Sequence, residues 1–406
     1  MYRYQLDNHY ERIIPSISVI YLPLSKNGFA DILSINLKYT LKLKKSKNKI
    51  NEINSNLWED IKKYTNPYEL IYIFNNKREQ NIKSIAKFRP LSRSFFKMIE
   101  IIHEFIPNIN TKNIINSLHI AEGPGGFIEA TRFIRRENNN MVIDNDRAFG
   151  ITLIDNMHKN VPAWKQSNIF LKNHPEVIIS AGADGTGNIY NIKNILFLET
   201  QIKQHITSNE DYHSNMIDFI TADGGFDYSV DYNYQEQASS KLIFSQIITA
   251  LKYQKFSGDF VCKFFDINSY LTVEMLYILY LAYDKITIYK PYTSRIANSE
   301  KYIICNNYIG INKELLEGLF NILDDWNKHP TETINQLFEE IPISFIDKIK
   351  ELNKILIDNQ IQSISKIINI VNTRMNLKKD WKKNNLQLQI NYAKDWCKRY
   401  QIPYNE

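Results

Sequence analysis

The run Glu122-Gly-Pro-Gly-Gly-Phe127 is where residue types and spacing first suggest chemistry. An apolar segment at 118–121 leads into it, and an apolar-periodic stretch, 127–136, leads out. A short strand, a side-chain-poor turn and a helix N-terminus in succession let a ligand approach the backbone closely. The turn alone is ambiguous about which ligand. A dinucleotide site needs G-x-G-x-x-G with an acidic residue roughly 20 positions later. Gly-Pro-Gly-Gly does not fit that spacing, and Pro124 removes an N–H that a pyrophosphate would use. The turn therefore argues against a nicotinamide dinucleotide and for a nucleoside ligand without phosphates. The three cysteines, Cys262, Cys305 and Cys397, form neither a metal-ligand spacing nor a CxxC pair. No metal is expected, and a reduced compartment is the default.

The elements that must position this turn can be read in order. Residues 92–105 form an amphipathic pattern with Ser92 or Ser94 near the N-cap, and Pro107 ends it. After the turn, strands are expected at 148–154, 177–180 and 216–222, the last ending in Asp223-Gly224-Gly225. Residues 241–255 carry Ile243, Ile247, Ala250 and Leu251 at helical spacing. Gly258 is placed at the end of that helix, before a strand at 259–265. Residues 270–283 are apolar on most sides and read as a buried helix. Strands at 285–290 and 302–306 close the series. Strands alternating with helices over short links predict an open α/β sheet.

The flanks are less regular. Strands are expected at 17–24 and 31–43, and helices at 56–64 and 68–74, split by Asn66-Pro67. Lys42, Lys44, Lys45, Lys47 and Lys49 make a basic run that reads as a solvated loop, with an RNA-contacting loop as the alternative. Beyond Ile311 the pattern is of helices alone. Phe345, Ile349, Leu352 and Leu356 form one stripe, and Ile361, Ile364, Ile368 and Val371 another. A second basic cluster, Lys378, Lys379, Lys382 and Lys383, surrounds Trp381.

With 406 residues the chain suffices for one large domain with additions or for two. A hydrophobic fraction of 44% with 23% charged residues is globular, and the net charge of +6 permits a nucleic-acid partner without requiring one. The abundance of Ile, Asn and Lys reads as an A/T-biased coding sequence. No apolar run approaches the ~18 residues of a membrane helix, and the N-terminus lacks a signal-peptide core. The expectation is a soluble, intracellular protein with no membrane partner.

The stretch Ala121-Glu-Gly-Pro-Gly-Gly-Phe127, followed by a helix, resembles the S-adenosylmethionine-binding motif of the FtsJ-like RNA ribose 2′-O-methyltransferases, the group that includes mRNA cap methyltransferases. The resemblance implies a Lys-Asp-Lys-Glu tetrad. Lys97 in Ser-Arg-Ser-Phe-Phe-Lys97 matches the first lysine, and Asp223 in Ile-Thr-Ala-Asp223-Gly-Gly the aspartate. Lys263 in Gly-Asp-Phe-Val-Cys-Lys263 matches the second lysine. Glu300 directly follows its serine where an "SxE" context is usual, so it matches by position more than by spacing. These hits cover about residues 84–306. They imply Lys263 as the group that activates a ribose 2′-hydroxyl, Lys97 as its electrostatic neighbour, and Asp223 and Glu300 as carboxylates that orient both. A lysine near its reference pKa of ~10.4 holds its proton at neutral pH, so a second cation in a desolvated cleft is needed to free it.

By the same resemblance Glu122, Gly123, Pro124, Gly125, Gly126 and Phe127 flank the methionine end of S-adenosylmethionine. Residues 183–190 resemble the "DGxGDI" loop that holds its adenosine. Asn188 stands where an acid is common there, and Asp184 is the neighbouring candidate, a plain turn being the alternative. Asp155 is either a ribose ligand or an exposed loop acid. His119 departs from the aspartate of many members and reads as packed within its strand.

The implied fold is a Rossmann-like methyltransferase core with a mixed, mostly parallel sheet. It would comprise an N-terminal extension (1–83), the methyltransferase domain (84–310) and a helical C-terminal appendage (311–406). The implied substrate is RNA, the capped 5′ end of mRNA before ribosomal RNA, with subunits of a capping or transcription machinery as further partners. Cytoplasm is the implied setting, or a virion should the source be a large DNA virus, which the composition would suit. A non-catalytic scaffold is the alternative of a different class.

Overall fold

In the computed structural model, which describes residues 2–6, 10–73, 83–137, 145–155, 161–206, 217–226 and 232–406, the strands gather into two sheets. The large one holds β1 (Tyr2–Leu6), β3 (Asn116–Ile120), β4 (Arg147–Ile151), β5 (Val177–Ser180), β6 (Ile217–Ala222), β7 (Gln254–Phe264), β8 (Tyr283–Lys290) and β9 (Lys301–Tyr308). The small one pairs β2 (Ile17–Pro23) with β10 (Glu332–Phe338). Strand order in the large sheet is β1-β8-β9-β7-β6-β3-β4-β5. β5, β4, β3, β6 and β7 run parallel, while β9, β8 and β1 add antiparallel pairs at one side. Every residue of β6 is buried, as a central parallel strand covered on both faces requires.

The chain leaves β3 towards β4 on one side and reaches β6 on the other, so the winding reverses between β3 and β6. In such sheets a crevice opens beyond the carboxyl ends of the strands at this switch point. Helices cover both faces. On one, α6 (Ile192–His205), α7 (Gln235–Tyr253), α8 (Tyr270–Ala282) and α9 (Lys313–Lys328) share a core with Phe345, Ile349, Leu352 and Leu356 of α10 (Ile343–Asn372). On the other, α3 (Ser94–Phe105) and α4 (Gly126–Glu137) share a core with Ala393, Trp396, Cys397 and Tyr400 of α11 (Lys379–Arg399). Thus β1 extends the main sheet, and both ends of the chain pack into the cores built around 84–310.

Several expectations are corrected. Residues 31–43 are not a strand. Beyond a single bridge at Ser34 they enter helix α1 (Leu37–Asn48), because Leu43, Lys47 and Ile50 recur on one buried face. The lysine run is therefore helical rather than a loop, and Lys47 is buried against Asp266 at 2.6 Å. Helix α2 (Ser55–Tyr64) stands where one was expected, but 68–73 hold only a 3-10 turn, Glu69–Ile71, and Phe74 lies outside the described residues. The strand expected at 148–154 stops at Ile151, and that at 216–222 begins at Ile217, Met216 lying outside the described residues. Gly258 does not end α7. That helix turns straight into β7 at Gln254, and Gly258 sits where the β6–β7 register shifts. A Cβ there would lie 2.8 Å from Asp218 O, so the glycine answers to crowding inside the sheet. Residues beyond 311 are not helices alone. β10 pairs with β2, and buried Glu274 of α8 accepts the β10 N–H groups of Leu337 (2.7 Å) and Phe338 (3.2 Å). The two apolar stripes beyond 340 belong to a single helix, α10. Neither Ser92 nor Ser94 caps α3, whose N-cap is Arg93; their hydroxyls bond each other.

Candidate active site

Strand register gathers the site. Ile120 pairs with Ala222, which sets Glu122 and Asp223 side by side beyond the ends of β3 and β6. Ala222 pairs with Cys262, which brings Lys263 beside Asp223. Lys263 lies directly opposite Tyr302 in the antiparallel β7–β9 pair, so the two side chains share a face. Lys97 arrives from α3. A Cβ on Gly126 would stand 2.2 Å from both Ser92 Oγ and Ser94 Oγ, so only glycine lets α3 and α4 start this close together.

Lys263 Nζ donates to Asp223 O at 2.7 Å and lies 3.2 Å from Asp223 Oδ1. Lys97 Nζ lies 2.7 Å from Glu300 Oε1. Between the two ion pairs stands the phenol of Tyr302, 2.9 Å from Asp223 Oδ1 and 3.4 Å from Glu300 Oε1. Tyr302 escaped the sequence reading. Its signal was its place two residues after Glu300 on the strand facing Lys263. Glu300 sits on a fastened connection. Lys290 Nζ donates to Asn298 O (2.9 Å), Asn298 Oδ1 (2.6 Å) and Glu300 O (2.8 Å). Burial alone would raise the Glu300 pKa, but Lys97, Lys263 and Lys290 together hold it at about 2. Burial takes Lys290 down to about 7, with Lys301 and Lys97 acting in the same direction and Glu300 opposing them.

Glu122 is buried on the turn. Thr221 donates to its Oε1, while Oε2 has no hydrogen-bond partner among the described residues. His119 Nδ1 lies 3.5 Å from Oε2, but burial drives the imidazole down to about 3, so no ion pair forms. His119 instead lies in its strand between Thr221 Oγ1 (2.7 Å) and Ser117 Oγ (3.0 Å). Burial raises Glu122 well above the usual carboxylate range, the Thr221 hydrogen bond opposes this, and nearby Asp223 adds to it.

The glycine turn and the 183–190 loop meet at Thr152, just beyond β4. Gly123 N approaches Thr152 Oγ1 at 3.4 Å, and a Cβ on Gly187 would lie 2.0 Å from Thr152 O. Thr152 was not anticipated either. Gly125 has φ +105°, which favours glycine. Pro124 O accepts from Ser167 Oγ. The Phe127 side chain is in the core, 5.8 Å from the Tyr302 ring, and does not face the crevice. Asp184 is exposed, and its carboxylate accepts from Thr186 N (2.9 Å), Asn191 Nδ2 (2.8 Å) and Asn194 Nδ2 (2.9 Å). It thus builds the turn of its own loop. Asn188 Oδ1 accepts from Tyr190 N at 3.0 Å. Asp155 follows the end of β4, and its carbonyl accepts from Lys165 Nζ.

A cleft of ≈ 380 Å³ opens beside the turn, sharing Pro124 with it and walled by Tyr64, Tyr72, Arg93, Arg295 and Gln389. Its floor is ionic: Glu69 lies 2.8 Å from Arg295 and 3.2 Å from Arg93.

The family profile of the FtsJ-like methyltransferases matches residues 90–308, more than half of the chain. The chain belongs to the FtsJ-like methyltransferase family. Among curated proteins it is similar to three named cap-specific mRNA (nucleoside-2′-O-)-methyltransferase 1. That of Dictyostelium discoideum is 29% identical over 80% of this chain and 42% of its own length. The Bos taurus protein is 31% identical over 50% of this chain and 22% of its own length. The Trypanosoma cruzi protein is 28% identical over 61% of this chain and 64% of its own length. The chain thus spans less than two thirds of each of these relatives.

FtsJ-like methyltransferases depend on S-adenosylmethionine. The crevice suits that group. The buried, unsatisfied Glu122 Oε2 calls for a cation such as the methionine ammonium, and beside it Gly123 and Pro124 of the turn are only half-buried.

Proposed function

We propose that the protein is an RNA ribose 2′-O-methyltransferase acting on the cap-proximal nucleotide of mRNA. The observation that carries the reading is the continuous array Lys97–Glu300–Tyr302–Asp223–Lys263 beside the glycine turn.

S-adenosylmethionine supplies a methyl group already activated as a sulfonium, so the chain's task is to orient the ribose and take its proton. Glu122 and the backbone of residues 123–126 hold the methionine end, and the 183–190 loop beyond Thr152 holds the adenosine. Lys263 in its neutral form has two hydrogens for the two Asp223 oxygens and accepts the 2′-hydroxyl proton on its nitrogen. Lys97 keeps positive charge near that nitrogen, and Glu300 fixes Lys97. Tyr302 spaces the two carboxylates so that each retains its own lysine.

The cleft beside Pro124 supports a capped substrate. Its tyrosines offer flat apolar faces to a base, and Glu69 with its arginines offers polar partners at the edge. The resemblance to proteins named for cap-specific methylation favours mRNA over ribosomal RNA. Capping or transcription subunits are the partners this reading implies.

The test supplies methyl-labelled S-adenosylmethionine with capped RNA, with the same RNA already 2′-O-methylated at its first nucleotide, and with uncapped and ribosomal RNA. Transfer to the first substrate alone is the expected result. Equal labelling of the first two rules out the cap-proximal position, and full activity of Lys263→Ala removes the proposed base.

A further inference from the structure

We infer that the exposed lysine ridge of α1 holds the phosphodiester backbone of the single-stranded RNA leading away from the candidate active site. The inference rests on the RNA-methyltransferase reading and adds the surface that grips the substrate outside the reacting nucleotide.

Lys38, Lys42, Lys45 and Lys49 follow one another at intervals of four, three and four residues. At 100° per residue they fall on one face, and all four are exposed. From Lys38 to Lys49 the ridge runs about 16 Å, the reach of a few nucleotides. Helix α1 contains no acidic residue; Lys49 opens the 3-10 turn that continues it, and Glu52 of that turn is the nearest acid in sequence. Like charges at these intervals destabilise a helix, and Lys38 in the first turn opposes the helix dipole. Lys42 reaches Asp358 of α10, an ion pair exposed on both sides and therefore weak. A polyanion lying along the ridge would relieve this repulsion.

The position of the ridge ties it to the site. On the opposite face Lys47 is buried, its Nζ 2.6 Å from Asp266 Oδ2 and donating to Tyr232 O at 3.0 Å. Asp266 lies three residues beyond Lys263, at the carboxyl end of β7. Asn48 Oδ1 accepts from Asn233 Nδ2 at 2.8 Å, in the segment between Asp223 and α7. The ridge therefore starts from the edge of the sheet that carries Asp223 and Lys263. Leu37 and Leu41, both exposed, form an adjoining apolar strip for bases. Tyr234, stacked on Phe29 at 4.0 Å and covered by Lys44, continues it towards the site.

The experiment compares wild type with Lys38→Gln/Lys45→Gln/Lys49→Gln, with arginine at the same three positions, and with Lys172→Gln/Lys313→Gln/Lys328→Gln as a control. Binding of a labelled capped RNA of about 20 nucleotides is measured across salt, and methyl transfer is measured on a capped trinucleotide. Three lost phosphate contacts at ~0.7 each lower the salt slope by about 2, and affinity at low salt falls roughly tenfold or more. The arginine and control variants hold wild-type binding, and transfer to the trinucleotide changes less than about twofold, since that substrate ends before the ridge. An unchanged slope, an equal loss on the trinucleotide, or competition by polyglutamate as strong as by RNA overturns the inference. If wild type methylates no RNA, the proposed function fails, while the binding slope still judges the ridge.

Discussion

Trp396 Nε1 donates to Glu100 Oε1 at 3.0 Å, and this bond fastens the last helix of the chain to the helix that carries Lys97. Glu100 is fully buried and also accepts from Tyr289 OH (3.1 Å), Tyr292 N (2.7 Å) and Thr293 N (2.8 Å). One carboxylate thus ties α3, the β8–β9 connection and α11 into the scaffold behind Lys97 and Glu300.

Trp396→Phe keeps most of the packing and removes one donor from this carboxylate. Urea unfolding should show a loss of about 1–3 kcal/mol, the contribution of one hydrogen bond to a buried carboxylate, since Oε1 still accepts from Thr293 N. Trp396→Ala adds a cavity and should cost about 3–5 kcal/mol. A Phe variant as stable as wild type would show that Glu100 does not depend on the indole.

Tyr302→Phe tests the spacer between the two ion pairs. The ring and its contact with Phe127 remain, while Asp223 and Glu300 lose a shared donor. The turnover number for methyl transfer should fall about 10–100-fold with little change in the KM for RNA, because the loss falls on positioning and not on binding. Equal turnover of the two proteins would leave Tyr302 a packing residue.

Glu69 and Glu300 are both held at about 2. Burial opposes this in each case; Arg93 and Arg295 overcome it for Glu69, and Lys97, Lys263 and Lys290 for Glu300. A carboxylate depressed in the folded state contributes stability above its unfolded pKa of ~4.3 and loses it as pH falls towards the folded value. Each should contribute roughly 2–3 kcal/mol at neutral pH, lost progressively between about pH 4.3 and 2. The stability difference between wild type and Glu300→Gln should therefore shrink across that window. A difference that stays constant with pH contradicts the assignment.

Glu122 is raised by burial, so in the free protein it holds its proton to higher pH than an ordinary carboxylate. A cationic ammonium placed against Oε2 favours the ionised form and expels that proton. S-adenosylmethionine should then bind with proton release and more tightly as pH rises. Titration calorimetry in buffers of different ionisation enthalpy measures this directly. Glu122→Gln should bind at least about tenfold more weakly, consistent with loss of a buried charge contact, and release no proton. A Gln variant that still releases the proton places the linkage elsewhere.

The glycine turn was legible because its function depends on the absence of side chains over several consecutive positions, and such absence is a local property. The strand–helix alternation was legible because burial on both faces of a parallel strand demands short apolar runs, as at Phe219–Ile220 of β6 and Phe260-Val-Cys262 of β7. The order Lys97, Asp223, Lys263, Glu300 could be picked out through likeness to a family.

Other features were settled only by tertiary partners. A lysine run reads the same in a loop or a helix until Asp266 appears beneath Lys47 and buries it. The edge strand β10 has weak local preference and exists because β2 pairs with it and Glu274 receives two of its N–H groups. Tyr302 is one tyrosine among 25 until β7–β9 register sets it opposite Lys263. Single residues carry no mark of what lies across a sheet or beneath a helix. Register and burial, which follow from the packing of distant segments, decided which charges are paired, which are buried and which are left facing outward.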